Sequence, residues 1–189
     1  MTDSTKPFAR RLRLFLRDFR MLEAKASLAE AQSLTAFLAT RKNYLHLQDV
    51  RWSASGERAD FAVLRVAQLL WAGAPDHDVP IVSAPVPAQP RIYEIQVDGG
   101  LLIRAALHIG GGQRLGDYLE AAGPFIPLGR AHLLRSGRPA TRANLLLGDV
   151  VLAQDGIQAV WESDADIHAA ESARAEEDSI PAWGNVTAR

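Results

Sequence analysis

Apolar positions recur along the chain in two matching sets. Leu22, Ala24, Ala26 and Leu28 fall on every second residue, and a shift of 81 residues lays them without a gap on Ile103, Ala105, Leu107 and Ile109. A period of two predicts a half-buried strand in each set. At the same shift Leu34, Phe37 and Leu38 meet Leu115, Tyr118 and Leu119. The spacing i, i+3, i+4 puts three apolar groups on one face of a short helix. Asp117 stands in the first turn of the second helix, where a carboxylate favours the positive end of the dipole. Tyr44, Leu45, Leu47 and Val50 then align with Phe125, Ile126, Leu128 and Ala131. Beyond Trp52 the shift becomes about 88, laying Val63, Leu64 and Leu69 on Val151, Leu152 and Ile157. The polar loops 53–59 and 136–142 absorb the difference.

Each unit reads strand, short helix, strand, loop, strand, with a last strand ending at Trp71 or Trp161. A copy of about 55 residues is marginal alone, so the two are expected to pack through strand edges or helix faces. The fold class expected is α+β and β-rich: two tandem small β-barrel-like repeats, an N-terminal amphipathic helix and an extended C-terminal tail. The divisions are a basic amphipathic segment over 1–20, a first repeat over 21–72, a linker over 73–92, a second repeat over 93–162 and an acidic tail over 163–189. Prolines at 75, 80, 85, 87 and 90 make the linker semi-extended, because proline fixes φ and donates no ladder hydrogen bond.

The run Arg114-Leu115-Gly116-Asp117-Tyr118-Leu119, then Phe125-Ile126-Pro127-Leu128, then Val151-Leu152-Ala153, resembles a group of uncharacterised bacterial small-barrel domains of Sm-like or SH3-like type. The likeness covers about a third of the chain and lies in hydrophobic patterning, so it implies a fold and carries no activity with it. The first copy lacks the Gly-rich turn and the helical Asp, which suggests a degenerate copy kept for packing.

Composition agrees with a folded chain, at 48% hydrophobic and 23% charged residues. No apolar run reaches the roughly 20 residues that cross a bilayer, and the N-terminus lacks a signal-like apolar stretch. With no cysteine, disulfides, thiolate catalysis and cysteine-based zinc sites are excluded. The expected location is the cytoplasm, with peripheral contact at the cytoplasmic membrane face. The net charge of −1 hides an asymmetry. Residues 1–20 hold six Lys/Arg against two Asp, for +4, and residues 162–189 hold seven Asp/Glu against two Arg, for −5. Such a distribution lacks the broad positive surface that duplex nucleic acid requires.

Candidate chemistry is sparse. Gly110-Gly111-Gly112 has neither the G-x-G-x-x-G spacing nor a following Lys-Ser/Thr, so it reads as a turn needing positive φ. His46, His77, His108, His132 and His168 form no i, i+4 pair, and Asp76-His77-Asp78 reads as solvated linker. No G-x-S-x-G elbow or Ser-His-acid set anchors nucleophilic catalysis. No cofactor, metal or catalytic residue is therefore expected.

The candidate docking residues are Phe8, Leu12, Phe15, Leu16 and Phe19, with Arg10, Arg13 and Arg17 between them, together with Trp183 in the tail. As a helix, the first set places apolar groups on one face and arginines on the other, fitted to an anionic bilayer or a protein groove. The same face would also cap a barrel, and the alternation of Leu12, Leu14 and Leu16 also fits a strand. Trp183 suits either a partner's pocket or the chain's own barrel. The function expected is a non-catalytic adaptor on a larger, membrane-associated assembly, of which an accessory subunit of a bacterial photosynthetic reaction-centre complex is one instance. The alternative is a regulatory module for a small ligand or RNA, with Tyr44, Arg51 and Trp52 as its residues, although core packing also explains Tyr44 and Trp52.

Overall fold

The computed structural model describes residues 8–76, 78–82, 90–135 and 145–163. The alternation of Leu12, Leu14 and Leu16 decides the N-terminal segment, which is a strand, β1 (Phe8–Leu16). It pairs antiparallel with β2 (Met21–Leu28) through a turn in which Phe19 takes φ 66°. Next come α1 (Leu34–Ala39), β3 (Tyr44–Trp52), β4 (Arg58–Arg65), a 3-10 turn Val66–Gln68 and β5 (Leu69–Gly73). The second half runs β6 (Pro90–Val97), a turn Asp98–Gly100, β7 (Leu101–His108), α2 (Leu115–Ala121), β8 (Phe125–Arg135), β9 (Leu145–Ala153), a 3-10 turn Gln154–Gly156 and β10 (Ile157–Glu162).

The expected fold class is corrected by this arrangement. Most of the described residues are strand, and all ten strands form one antiparallel sheet in the order β10-β6-β7-β8-β9-β5-β1-β2-β3-β4. They are not two tandem barrels packed as separate bodies, because β5 pairs with β9 through Trp71↔Leu152, Ala72↔Val151 and Gly73↔Val150. Nor do the described residues of the N-terminal segment form a helix. Apolar residues at 8, 12, 15, 16 and 19 suit a helical period, but β1 lies between β2 and β5 and hydrogen-bonds to both. Tertiary pairing on two sides outweighs a preference worth a few tenths of a kcal/mol per residue. The acidic tail, with Trp183, lies outside the described residues.

The buried apolar residues form two cores, and each borrows from the other half. The first gathers Leu12, Leu14, Leu22, Leu28, Leu34, Phe37, Leu45 and Leu47 and takes in Phe125, Val151 and Ala153. The second gathers Tyr93, Ile95, Ile103, Leu107, Ile126 and Leu128 and takes in Phe15, Leu70 and Trp71. Phe15 stacks on Trp71 at 5.4 Å between ring centroids and meets Phe19 edge-on.

Polar contacts bind the halves along the same seam. Arg17 donates to Asp98 and Asp155, both in turns of the second half, and its Nε donates to the Ala67 carbonyl at 2.9 Å. The ring of Phe19 lies against Gly99, whose φ of +74° and lack of Cβ allow that approach. The described part of the linker folds back on α1, where the Leu34 amide donates to the Pro80 carbonyl at 2.8 Å and Val79 is buried. Ser33 caps α1 by accepting from the Ala36 amide at 3.2 Å.

Candidate interaction surface

Strand geometry sends the proposed docking residues in two directions. Leu12, Leu14, Phe15 and Leu16 are buried in the cores, so they offer no face to a bilayer. Phe19 and Arg17 close the seam between halves. The arginines of this segment are paired: Arg10 with Asp78 at 3.0 Å, Arg13 with Glu23 at 3.1 Å, Arg17 with Asp98 and Asp155, and Arg20 with Asp18 at 2.6 Å. Arg13 and Glu23 stand directly opposite in the β1–β2 register, so the sheet itself supplies the counter-charge. Phe8 alone of the apolar set is exposed, under the Arg10 guanidinium at 5.6 Å.

Exposed apolar surface gathers instead on the β3–β4 hairpin. Leu45 and Leu47 point into the core, so Tyr44, His46 and Gln48 point out, and opposite them stand Arg65, Val63 and Phe61. Tyr44 is 54% exposed, Phe61 56% and Val63 50%. The His46 and Phe61 rings lie 6.0 Å apart, inclined by 31°. At Asp49 the backbone takes φ 49°, which breaks the alternation and returns Val50 to the core. Arg51 and Arg58 then face each other on the same hairpin. Tyr44 is thus a surface residue and not a core one, whereas Trp52 packs partly against the first core with the Arg20 guanidinium 4.7 Å above its ring. Among the described residues β4 is hydrogen-bonded on one side only, and β10 likewise at the other end of the sheet. Trp161 on β10 is 41% exposed, with its indole N–H donating to Glu94 at 3.2 Å.

Recesses in the described surface are open. One of about 240 Å³ adjoins β4, lined by Leu22, Leu47, Val50, Trp52, Ala62 and Leu64, with Asp18 and Arg20 at its rim. Another, of about 700 Å³, lies between the halves with Arg41, Lys42 and Asp155 on its walls. The side-chain hydrogen bond from Arg20 holds Asp18 below the ordinary carboxylate value, the same pair raises Arg20, and burial pushes the Tyr118 phenol upward. The first two form an ion pair within one turn, and the third lies on α2 and packs against the second core.

The glycine loop behaves as a turn: Gly112 takes φ 81° and the Gln113 amide donates to the Gly110 carbonyl at 3.0 Å. Asp76 and Asp78 face Arg11 and Arg10, and His77 and His168 lie outside the described residues. Among the described residues no three His, Asp or Glu side chains gather as metal ligands, and no helix is long and apolar enough to cross a membrane. Sequence reading missed Phe61, Val63 and Trp161 as surface residues. Phe61-Ala62-Val63-Leu64 is apolar throughout, so no polar residue marks which phase of the strand faces out.

No protein-family model matches the chain, and neither a curated protein nor a solved structure matches it.

Proposed function

We propose that this protein is a non-catalytic adaptor that joins a larger assembly through the β3–β4 hairpin. The observation that carries the reading is the concentration of exposed Tyr44, Phe61 and Val63 on one hairpin whose outer strand has, among the described residues, an open edge. Folding buries the leucines of β1, so the driving force for docking has to come from elsewhere. An edge strand offers free backbone donors and acceptors, and large apolar groups beside it add desolvation energy when a partner covers them. The membrane contact expected of residues 8–19 forms no part of this proposal, because every member of the proposed apolar face except Phe8 is packed within the fold.

Removal of residues 1–20 would delete a central strand, so the test uses point variants. Full-length protein and Tyr44→Ser/Phe61→Ser are compared for retention of protein partners from extracts, after both give the same far-UV spectrum and melting temperature. A partner held by the first and lost by the second supports the adaptor reading. Identical retention by both refutes it.

A second reading is favoured by the arrangement of Tyr44 opposite Arg65, with His46, Phe61, Arg51 and Arg58 on the same hairpin. Exposed rings beside positive charge are what a single-stranded RNA needs for stacking and phosphate contact. Filter binding over a salt series distinguishes it: affinity that falls with salt and disappears in Tyr44→Ser/Phe61→Ser would favour RNA over protein.

A further inference from the structure

The structure assigns the β4 edge, open among the described residues, to the β10 strand of a second copy of this chain, which pairs with it head to tail as β5 pairs with β9 inside one molecule. This pairing deepens the adaptor reading of the β3–β4 hairpin and rests on it. Its basis is an internal template. Within the strand order, β5-β1-β2-β3-β4 forms one run and β10-β6-β7-β8-β9 the other. β10 therefore holds in the second half the place that β5 holds in the first, and β9 the place of β4. Both β5 and β10 follow a 3-10 turn directly, Val66–Gln68 and Gln154–Gly156. The molecule joins its halves by setting one edge of the β5 kind against one of the β4 kind. The complementary pair, β10 and β4, remains at opposite ends of the sheet.

The register transfers without adjustment. Moving the β5–β9 pairs by 88 residues turns Trp71↔Leu152, Ala72↔Val151 and Gly73↔Val150 into Ala159↔Leu64, Val160↔Val63 and Trp161↔Ala62. Side-chain phase then agrees on both strands. In the internal seam Val151, on β9, crosses into the core of the half that owns β5, and Trp71, on β5, crosses into the core of the half that owns β9. By the same rule Val63 enters the second core of the neighbouring copy, beside Val160, which already packs there. Trp161 and Ala159 enter the first core beside Ala62 and Leu64, which already pack against it. Val63 and Trp161, two of the exposed large apolar residues, are the ones this pairing covers.

Bulk is also exchanged across the ladder. Where the internal seam sets Gly73 against Val150, the proposed one sets Trp161 against Ala62. Space for the indole is present. The recess of about 240 Å³ beside β4 is lined by Leu22, Leu47, Val50, Ala62 and Leu64. At the shifts of 81 and 88 their counterparts are Ile103, Leu128, Ala131, Val150 and Leu152, which share the second core with Phe15, Leu70 and Trp71. A recess of that size exceeds the roughly 150 Å³ cavity that accepts benzene.

The decisive experiment uses the full chain, which has no cysteine of its own. Val63→Cys and Val160→Cys chains are mixed and oxidised. Directly opposed residues on antiparallel strands have Cα atoms about 4.5–5.5 Å apart, within disulfide range. A disulfide-linked pair is expected for 63 with 160, and none for 63 with Ala159→Cys, whose side chain points to the other face. Sedimentation of the unmodified chain at micromolar concentration is expected to give a mass of two or more chains, and Val63→Lys, which drives an ammonium into the neighbour's core, is expected to weaken association at least about tenfold. If Val63→Lys fails to fold, the cross-link decides. A chain that stays monomeric to about 100 μM, or cross-links equally at both positions, overturns the pairing. Such a monomer still holding another protein through Tyr44 and Phe61 would leave the adaptor reading intact.

Discussion

Truncating Trp71 tests whether the two halves share their stability. Trp71 is 3% exposed, belongs to β5 in the first half, and lies in the second half's core, stacked on Phe15 and opposite Leu152. Trp71→Ala removes an indole from a close-packed site that cannot collapse, because β5 is held by ladders on both sides. Such changes cost about 3–5 kcal/mol, against a total stability of about 5–15 kcal/mol for a domain. In a chain of this size each kcal/mol moves Tm by roughly 2–4 °C, so a fall on the order of 6–20 °C is expected. Calorimetry with Tyr44→Ala as control measures it, since Tyr44 is exposed and its loss should change stability by about 0.5 kcal/mol at most. Because each core contains residues of the other half, parent and variant should each melt in one transition. A Trp71→Ala melt within about 2 °C of the control would refute the shared core, and so would two separate transitions in the parent.

The remaining expectations concern the seam and the turns beside it. Arg17→Met keeps the aliphatic stem but strips the contacts to Asp98, Asp155 and the Ala67 carbonyl, and should cost about 1–3 kcal/mol. A double-mutant cycle with Asp98→Asn should show coupling of at least about 0.5 kcal/mol, and additivity would show the contact to be idle. A Cβ on residue 99 would stand 1.9 Å from Phe19 Cζ on a backbone at φ +74°, so Gly99→Val should destabilise by a few kcal/mol. Phe19→Ala in that background should restore part of the loss, and no recovery in chemical melts would place the strain elsewhere. Asp18 has its pKa lowered by its hydrogen bond to Arg20, so its small stabilising contribution is full above the unfolded value of about 3.9 and is lost as pH falls through the folded one. In an NMR titration its midpoint should rise in Arg20→Gln, and an unmoved midpoint would exclude Arg20 as the cause.

Alternation was the most legible signal in the chain. Leu22, Ala24, Ala26 and Leu28, and their counterparts from Ile103 to Ile109, are all buried, because one-sided burial leaves its mark on every second residue. The spacing of Leu34, Phe37 and Leu38 marked α1 in the same way. Residues 8–19 carried two periods at once, and local pattern could not choose between them. The choice was made by β5, a strand more than fifty residues away that closes the far side of β1. The interaction surface was less legible still. A wholly apolar stretch such as Phe61 to Leu64 has no internal phase, so its outward residues are known only when Leu45 and Leu47 across the ladder are seen to face inward.

By itself the sequence determined, beyond residue 20, the alternating strands and the two short helices and which of their apolar residues leave water, since these follow from local sterics and from the period with which apolar groups recur. Only the tertiary structure decided that the strands join one continuous sheet, that arginines of the N-terminal segment meet carboxylates of both halves, and that apolar groups on β4 and β10 stay uncovered. Those are properties of edges and of pairing partners distant in the chain. Backbone hydrogen bonds between strands are the same for every residue type, so side-chain order alone does not specify which edge meets which.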